Sequence, residues 1–158
     1  MNERNRHEGL SRRGFMASAA AMTAASVLGS RAYAAGSDKI RVGLIGCGGR
    51  GTFDTGNCLK AAEGVELVAM GDMFKDRLDR CRRVLSADPP ENANNSIKDK
   101  VKVTDDTCFV GWDAHQRVLA TDVDLVILTQ PPHFRPSHLK AAVEAGKHVF
   151  MEKPVAVD

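Results

Sequence analysis

An apolar run, Ile40-Arg41-Val42-Gly43-Leu44-Ile45, ends in the closely spaced glycines of Gly46-Cys47-Gly48-Gly49-Arg50-Gly51. This junction constrains the chain more than any other feature. A buried strand that runs through glycines into a helix-compatible stretch opens a βαβ unit of a parallel sheet. The glycines follow the spacing G-x-G-x-x-G. In such a turn Gly46 permits the sharp bend, Gly48 admits a close ligand, and Gly51 lets the helix pack on the strand.

Alternating strand and helix signals continue from there. A helix is expected over residues 50–62, with Thr55, Cys58, Leu59 and Ala62 on its inner face. Val65 to Met70 reads as the second strand, and Asp72 stands just beyond it. A second helix is expected over 74–85, with Phe74, Leu78, Cys81 and Leu85 on one face. The arginines on its other faces, Arg77, Arg80, Arg82 and Arg83, read as a solvated surface. Residues 87–100 read as a loop, Val101-Lys102-Val103 as a short third strand, and Asp113 to Gln116 as a capping box opening a third helix. Val123 to Leu128, broken only by Asp124, is the fourth expected strand. A helix starting at Arg135-Pro136 stops at Gly146, and residues 147–151 form the fifth strand. Such repeats predict an α/β fold: a Rossmann-type, doubly wound parallel sheet with helices on both faces.

In this context the glycine pattern reads as a dinucleotide-binding fingerprint. The helix start offers free N–H groups and a favourable dipole to a pyrophosphate. Asp72, 21 residues after Gly51, is placed to accept hydrogen bonds from the adenosine ribose and to repel a 2′-phosphate. NAD is therefore expected in preference to NADP. Gly46, Gly48, Gly49, Gly51 and Asp72 are the expected contacts. Arg50 either touches a phosphate or is solvated at the helix start. Cys47 reads as a small turn filler rather than a reactive thiol.

Residues 1–35 read as an export leader, leaving residues 36–158 as the folded domain. A charged start precedes a 14-residue apolar run, Phe15 to Leu28, too short to span a bilayer, and Ala32-Tyr33-Ala34 offers a cleavage site. Ser11-Arg12-Arg13-Gly14-Phe15-Met16 resembles a twin-arginine signal, so a periplasmic or otherwise extracytoplasmic destination is expected. The leader carries a net charge of +3, and the remainder −1. That balance gives no support to a nucleic acid or a membrane surface as partner. Cys47, Cys58, Cys81 and Cys108 lack metal-site spacing and are expected to be free.

The C-terminal stretch then carries a resemblance. Gly146-Lys147-His148-Val149-Phe150-Met151-Glu152-Lys153-Pro154 resembles the "GKHV…EKP" segment of the glucose–fructose oxidoreductase, inositol dehydrogenase and rhizopine-catabolism (Gfo/Idh/MocA) family. Val42 to Gly51 and Val123 to Ile127 resemble its other landmarks. The resemblance implies an NAD(P)-dependent oxidoreductase acting on a sugar, polyol or related hydroxyl compound. It implies Lys153 as the catalytic residue, near the nicotinamide and the reacting hydroxyl, with Glu152 orienting it or contacting the cofactor. The family loop Thr-Pro-Asn-x-x-His is replaced here by Gln130, Pro131, Pro132 and Arg135, with His133 a further site candidate and His138 nearby. Gln130 and Pro131 are expected at the cofactor.

Family members carry a second, substrate-binding domain and are often homo-oligomers. The chain ends four residues after Pro154, so it is expected to be the cofactor-binding fragment and inactive alone. Two alternatives share the same visible residues. One is an NAD-dependent glycoside hydrolase that works through transient oxidation. The other is a non-catalytic nucleotide-binding module.

Overall fold

The computed structural model describes residues 38–88 and 96–157. The expected leader, with Arg12 and Arg13, lies outside the described residues. Five strands form one sheet: β1 (Ile40–Ile45), β2 (Val65–Asp72), β3 (Cys108–Val110), β4 (Leu125–Leu128) and β5 (His148–Met151). Their order is β3-β2-β1-β4-β5, and every neighbouring pair is parallel. Four helices connect them: α1 (Gly49–Ala61), α2 (Lys75–Leu85), α3 (Ala114–Leu119) and α4 (Arg135–Glu144). The strand order reverses between β1 and β4. A crevice therefore opens at the carboxyl ends of these strands.

Alternation along the strands divides the core into two layers. Val42, Leu44, Leu67, Met70 and Ile127 pack with Leu59 of α1 and Leu78, Cys81 and Leu85 of α2. Ile45, Ala69, Val126 and Leu128 pack on the other face with Val118 and Leu119 of α3 and Ala142 of α4. Leu44, Leu59 and Leu67 are fully buried. Burial of each such side chain is worth about 2 kcal/mol.

Asp124 explains the polar break before β4. Its Oδ1 accepts from Arg41 Nη2 at 2.8 Å, and its Oδ2 accepts from Arg41 Nε at 3.0 Å and from the Arg41 backbone N–H at 2.8 Å. The forked pair fastens β1 to β4 at the start of both strands. The Arg41 hydrogen bonds hold the Asp124 carboxyl down at about 2.

Several local expectations are corrected. Val101 makes a single bridge to Leu67 rather than a strand, and the edge strand is Cys108-Phe109-Val110, where three strand-forming residues precede Gly111. Within the expected loop, Lys98–Lys100 forms a short 3-10 turn. Asp113 precedes α3 but makes no side-chain capping bond, because its backbone is already helical. Ala62 is exposed, and α1 buries Gly51, Asp54, Thr55 and Leu59 instead.

Phe74 does not join the core face of α2. It precedes the helix in extended conformation and is 52% exposed. The arginine face of α2 is also more than a solvated surface. Arg82 Nη1 donates to Asp105 at 2.6 Å and its Nη2 donates to the Val103 carbonyl at 3.3 Å. All four cysteines are free thiols.

Candidate cofactor and active site

β1 delivers the glycine turn to the crevice. Gly46 has φ +99°, and a Cβ there would stand 2.6 Å from the Gln130 nitrogen. A Cβ on Gly51 would stand 2.0 Å from the Gly46 carbonyl oxygen. Neither position tolerates a side chain, so the turn between strand and helix closes as the spacing requires. Thr129 Oγ1 donates to that same carbonyl at 2.6 Å. At Gly48 and Gly49, by contrast, a Cβ would meet no protein atom within 4 Å. Helix α1 starts there with no side-chain cap and no acidic residue in its first turn. Its leading N–H groups remain available to an anion.

Asp72, at the carboxyl end of β2, braces this turn. Its Oδ2 accepts from the Cys47 N–H at 2.6 Å and its Oδ1 from the Phe74 N–H at 2.9 Å. Each carboxylate oxygen has a second lone pair, so a ribose hydroxyl can still be bound. Cys47 is a filler: it is 3% exposed, and its thiol points at the Gly71 carbonyl. The contact with Cys81, together with burial, pushes the Cys47 thiol well above the ordinary thiol range.

A cleft of about 690 Å³ follows the strand ends. The structure brings Gly46, Gly48, Gly49, Arg50, Asp72, Gln130 and Pro131 together along it. Gly51 lies beneath, against the Gly46 carbonyl. Glu152 joins through Arg50, whose guanidinium bridges Glu152 and Asp54, with Arg50 Nε donating to Asp54 at 2.9 Å. Glu152 Oε2 also accepts from the Lys153 N–H at 3.1 Å. The Lys153 side chain is exposed and makes no ion pair among the described residues. His133 is exposed on the 3-10 turn Pro132–Phe134 and does not line the cleft.

Sequence reasoning missed much of the opposite wall. Phe74, Arg77, Trp112, His115 and Phe134 line the cleft unannounced, beside Arg135 and His138, which the family loop places nearby. Arg77 lies over the Phe74 ring, 5.1 Å from its centroid. His115 and His138 stack with centroids 3.9 Å apart. Burial, and then the neighbouring His115, hold the His138 imidazole down at about 4. One sequence signal could have found these residues: each follows a strand end on the crevice side, and for Trp112 and His115 that signal requires β3 to be placed correctly.

The residues present fit a dinucleotide. The open space over Gly48 and Gly49, the uncapped helix start and the Asp72 carboxylate form a cradle for pyrophosphate and ribose. Gln130 sits at the wall with both atoms of its side-chain amide buried and without partners. Among the described residues, no group of three His, Cys, Asp or Glu side chains could hold a metal ion.

Comparison with known proteins agrees with this geometry. Residues 40–158 match the GFO_IDH_MocA family, described as an oxidoreductase family with an NAD-binding Rossmann fold. A glycosyl hydrolase family 109 protein of Solibacter usitatus is 34% identical over 117 residues, covering 74% of this chain and 24% of the relative. Inositol 2-dehydrogenase of Serratia proteamaculans is 33% identical over 121 residues, covering 75% of this chain and 29% of the relative. The chain thus spans about a quarter of the length of these curated relatives. Among solved structures, apo scyllo-inositol dehydrogenase from Lactobacillus casei superposes with a TM-score of 0.56 at 26% identity, covering 76% of this chain and 30% of that one. A 3-ketoreductase from Actinomadura kijaniata in complex with NADP gives a TM-score of 0.52 at 26% identity, covering 77% and 32%.

Proposed function

The chain belongs to the Gfo/Idh/MocA oxidoreductase family as an NAD-binding Rossmann domain, and on that premise we propose that it serves oxidation of a hydroxyl group on a sugar, polyol or related compound. The observation that carries the reading is the convergence of the Gly46–Gly51 turn, Asp72 and the Glu152-Lys153 segment at one end of the sheet. NAD, when bound, supplies the hydride acceptor. Gly48, Gly49 and the start of α1 hold the pyrophosphate, and Asp72 holds the adenosine ribose and disfavours a 2′-phosphate. Gln130 and Pro131 flank the nicotinamide end. Lys153 hydrogen-bonds the substrate oxygen through Nζ and assists removal of its proton. Glu152 fixes the Lys153 backbone through its N–H and is itself held by Arg50.

Incubation of an enzyme that carries this domain together with a substrate-binding domain, with NAD and a panel of polyols and aldoses, tests this reading, with NADH absorbance as the readout. The reading expects NADH with at least one polyhydroxy compound and its loss in Lys153→Ala. NADH formation undiminished in Lys153→Ala would remove Lys153 from the chemistry.

The similarity to glycosyl hydrolase family 109 proteins favours a second reading, glycoside cleavage through transient oxidation. Release of a sugar without net NADH would select it. We also propose export through the twin-arginine route, with Arg12 and Arg13 as the address, and a homo-oligomeric assembly of the enzyme. Retention of Arg12→Lys, Arg13→Lys protein inside the cell would support the export route. Its efficient export would contradict it.

A further inference from the structure

We propose that Arg135 is a positioning residue for Lys153, an inference that rests on the proposed role of Lys153. Arg135 opens α4 and is 5% exposed, although it is a cation. Among the described residues it has no carboxylate partner. Its hydrogen bonds go to two backbone carbonyls instead. Nε donates to the Gln130 oxygen at 3.0 Å, and Nη1 donates to the Pro154 oxygen. One guanidinium therefore ties the turn after β4 to the residue directly following Lys153.

Burying a guanidinium without a counter-charge is unfavourable, so its two carbonyl bonds must offset that cost. Their placement shows what the strap controls. Upstream of Lys153, the Glu152 N–H donates to the Leu128 carbonyl at 3.1 Å, and the Glu152 side chain is gripped by Arg50. Downstream, Arg135 grips Pro154. The backbone of Lys153 is thus fixed from both sides while its side chain stays exposed. A planar fork can bond two carbonyls that diverge from one point; a lysine ammonium or an imidazole on a different reach cannot reproduce both bonds.

The test compares Arg135→Met, Arg135→Lys and Arg135→Ala with the parent protein by amide hydrogen exchange. The expected result is exchange at least about tenfold faster in residues 149–157, the factor that loss of one charge-assisted hydrogen bond supports. Amides of β1 and α1 keep their protection. Methylguanidinium restores protection in Arg135→Ala, which a general loss of stability would not allow. In turnover by an enzyme that carries this domain with a substrate-binding domain, kcat falls by a larger factor than KM for NAD rises. Unchanged exchange at 149–157, exchange raised evenly over the whole sheet, or failure of all three variants to fold would each overturn the proposal. Full turnover by Lys153→Ala beside a localised exchange change would instead defeat the catalytic role of Lys153 and leave the strap standing.

Discussion

Asp72 Oδ2 accepts a hydrogen bond from the Cys47 N–H at 2.6 Å, so the residue expected to read the ribose also holds the glycine turn in place. Two roles in one carboxylate predict two separable effects. Asp72→Asn retains an oxygen for one backbone N–H but loses the charge. It should narrow the preference for NAD over NADP while lowering NAD affinity about tenfold. Asp72→Ala removes both acceptors and should also lower Tm. Titration of each variant with both nucleotides, beside thermal melts, checks this. Equal melts for the two variants would separate Asp72 from the turn.

Trp112 is the only tryptophan in the chain, lines the cleft and is 73% exposed. NAD binding should quench its fluorescence. Trp112→Phe should abolish the signal while calorimetry still registers binding. A signal that ignores saturating NAD would place the dinucleotide elsewhere.

The Arg41–Asp124 pair predicts an acid-sensitive fastening of β1 to β4. The folded Asp124 carboxyl lies at about 2, below its ordinary value of 3.8. The unfolded chain therefore binds the proton more readily. The contribution is present above about pH 4 and is lost as pH falls through about 2. With the carboxylate side chain 36% exposed, screening reduces it to about 1 kcal/mol. Asp124→Asn should lower Tm at pH 7, and the difference from the parent should shrink as pH falls toward 2 and vanish below it.

His138 predicts a second pH dependence, in a higher window. Its folded value of about 4 lies below the ordinary 6.5. The unfolded state again binds more protons, so stability is complete above about pH 6.5 and declines as pH falls toward 4. His138→Phe should flatten the Tm profile between these limits. A profile as steep as the parent's would assign the dependence to another group.

The sheet and the glycine turn were legible because their signals are local. Apolar runs of strand length, glycines at fixed spacing and an acid after the second strand each report on their own neighbourhood. Other features depend on tertiary partners. Cys108 to Val110 is only three residues long and becomes a strand by pairing with Met70 to Asp72. Phe74 matches the apolar period of α2, yet the Asp72 bond to its N–H holds it outside the helix and turns it to the cleft. Arg135 could be placed by counting from Gly146, but its carbonyl partners lie 5 and 19 residues away. No pattern in the sequence announces them.

Gly48 offers the most direct test that this turn holds the dinucleotide. Its backbone, at φ −70° and ψ −176°, suits any residue. A Cβ there meets no protein atom within 4 Å. Gly48→Val should therefore leave Tm nearly unchanged while placing two methyl groups where the pyrophosphate belongs. Titration of parent and variant with NAD, followed by calorimetry, should show affinity reduced by about a hundredfold or more, the effect of blocking close approach to the helix start. NAD binding by Gly48→Val with the parent's affinity would contradict the assignment of the Gly46–Gly51 turn as the cofactor site.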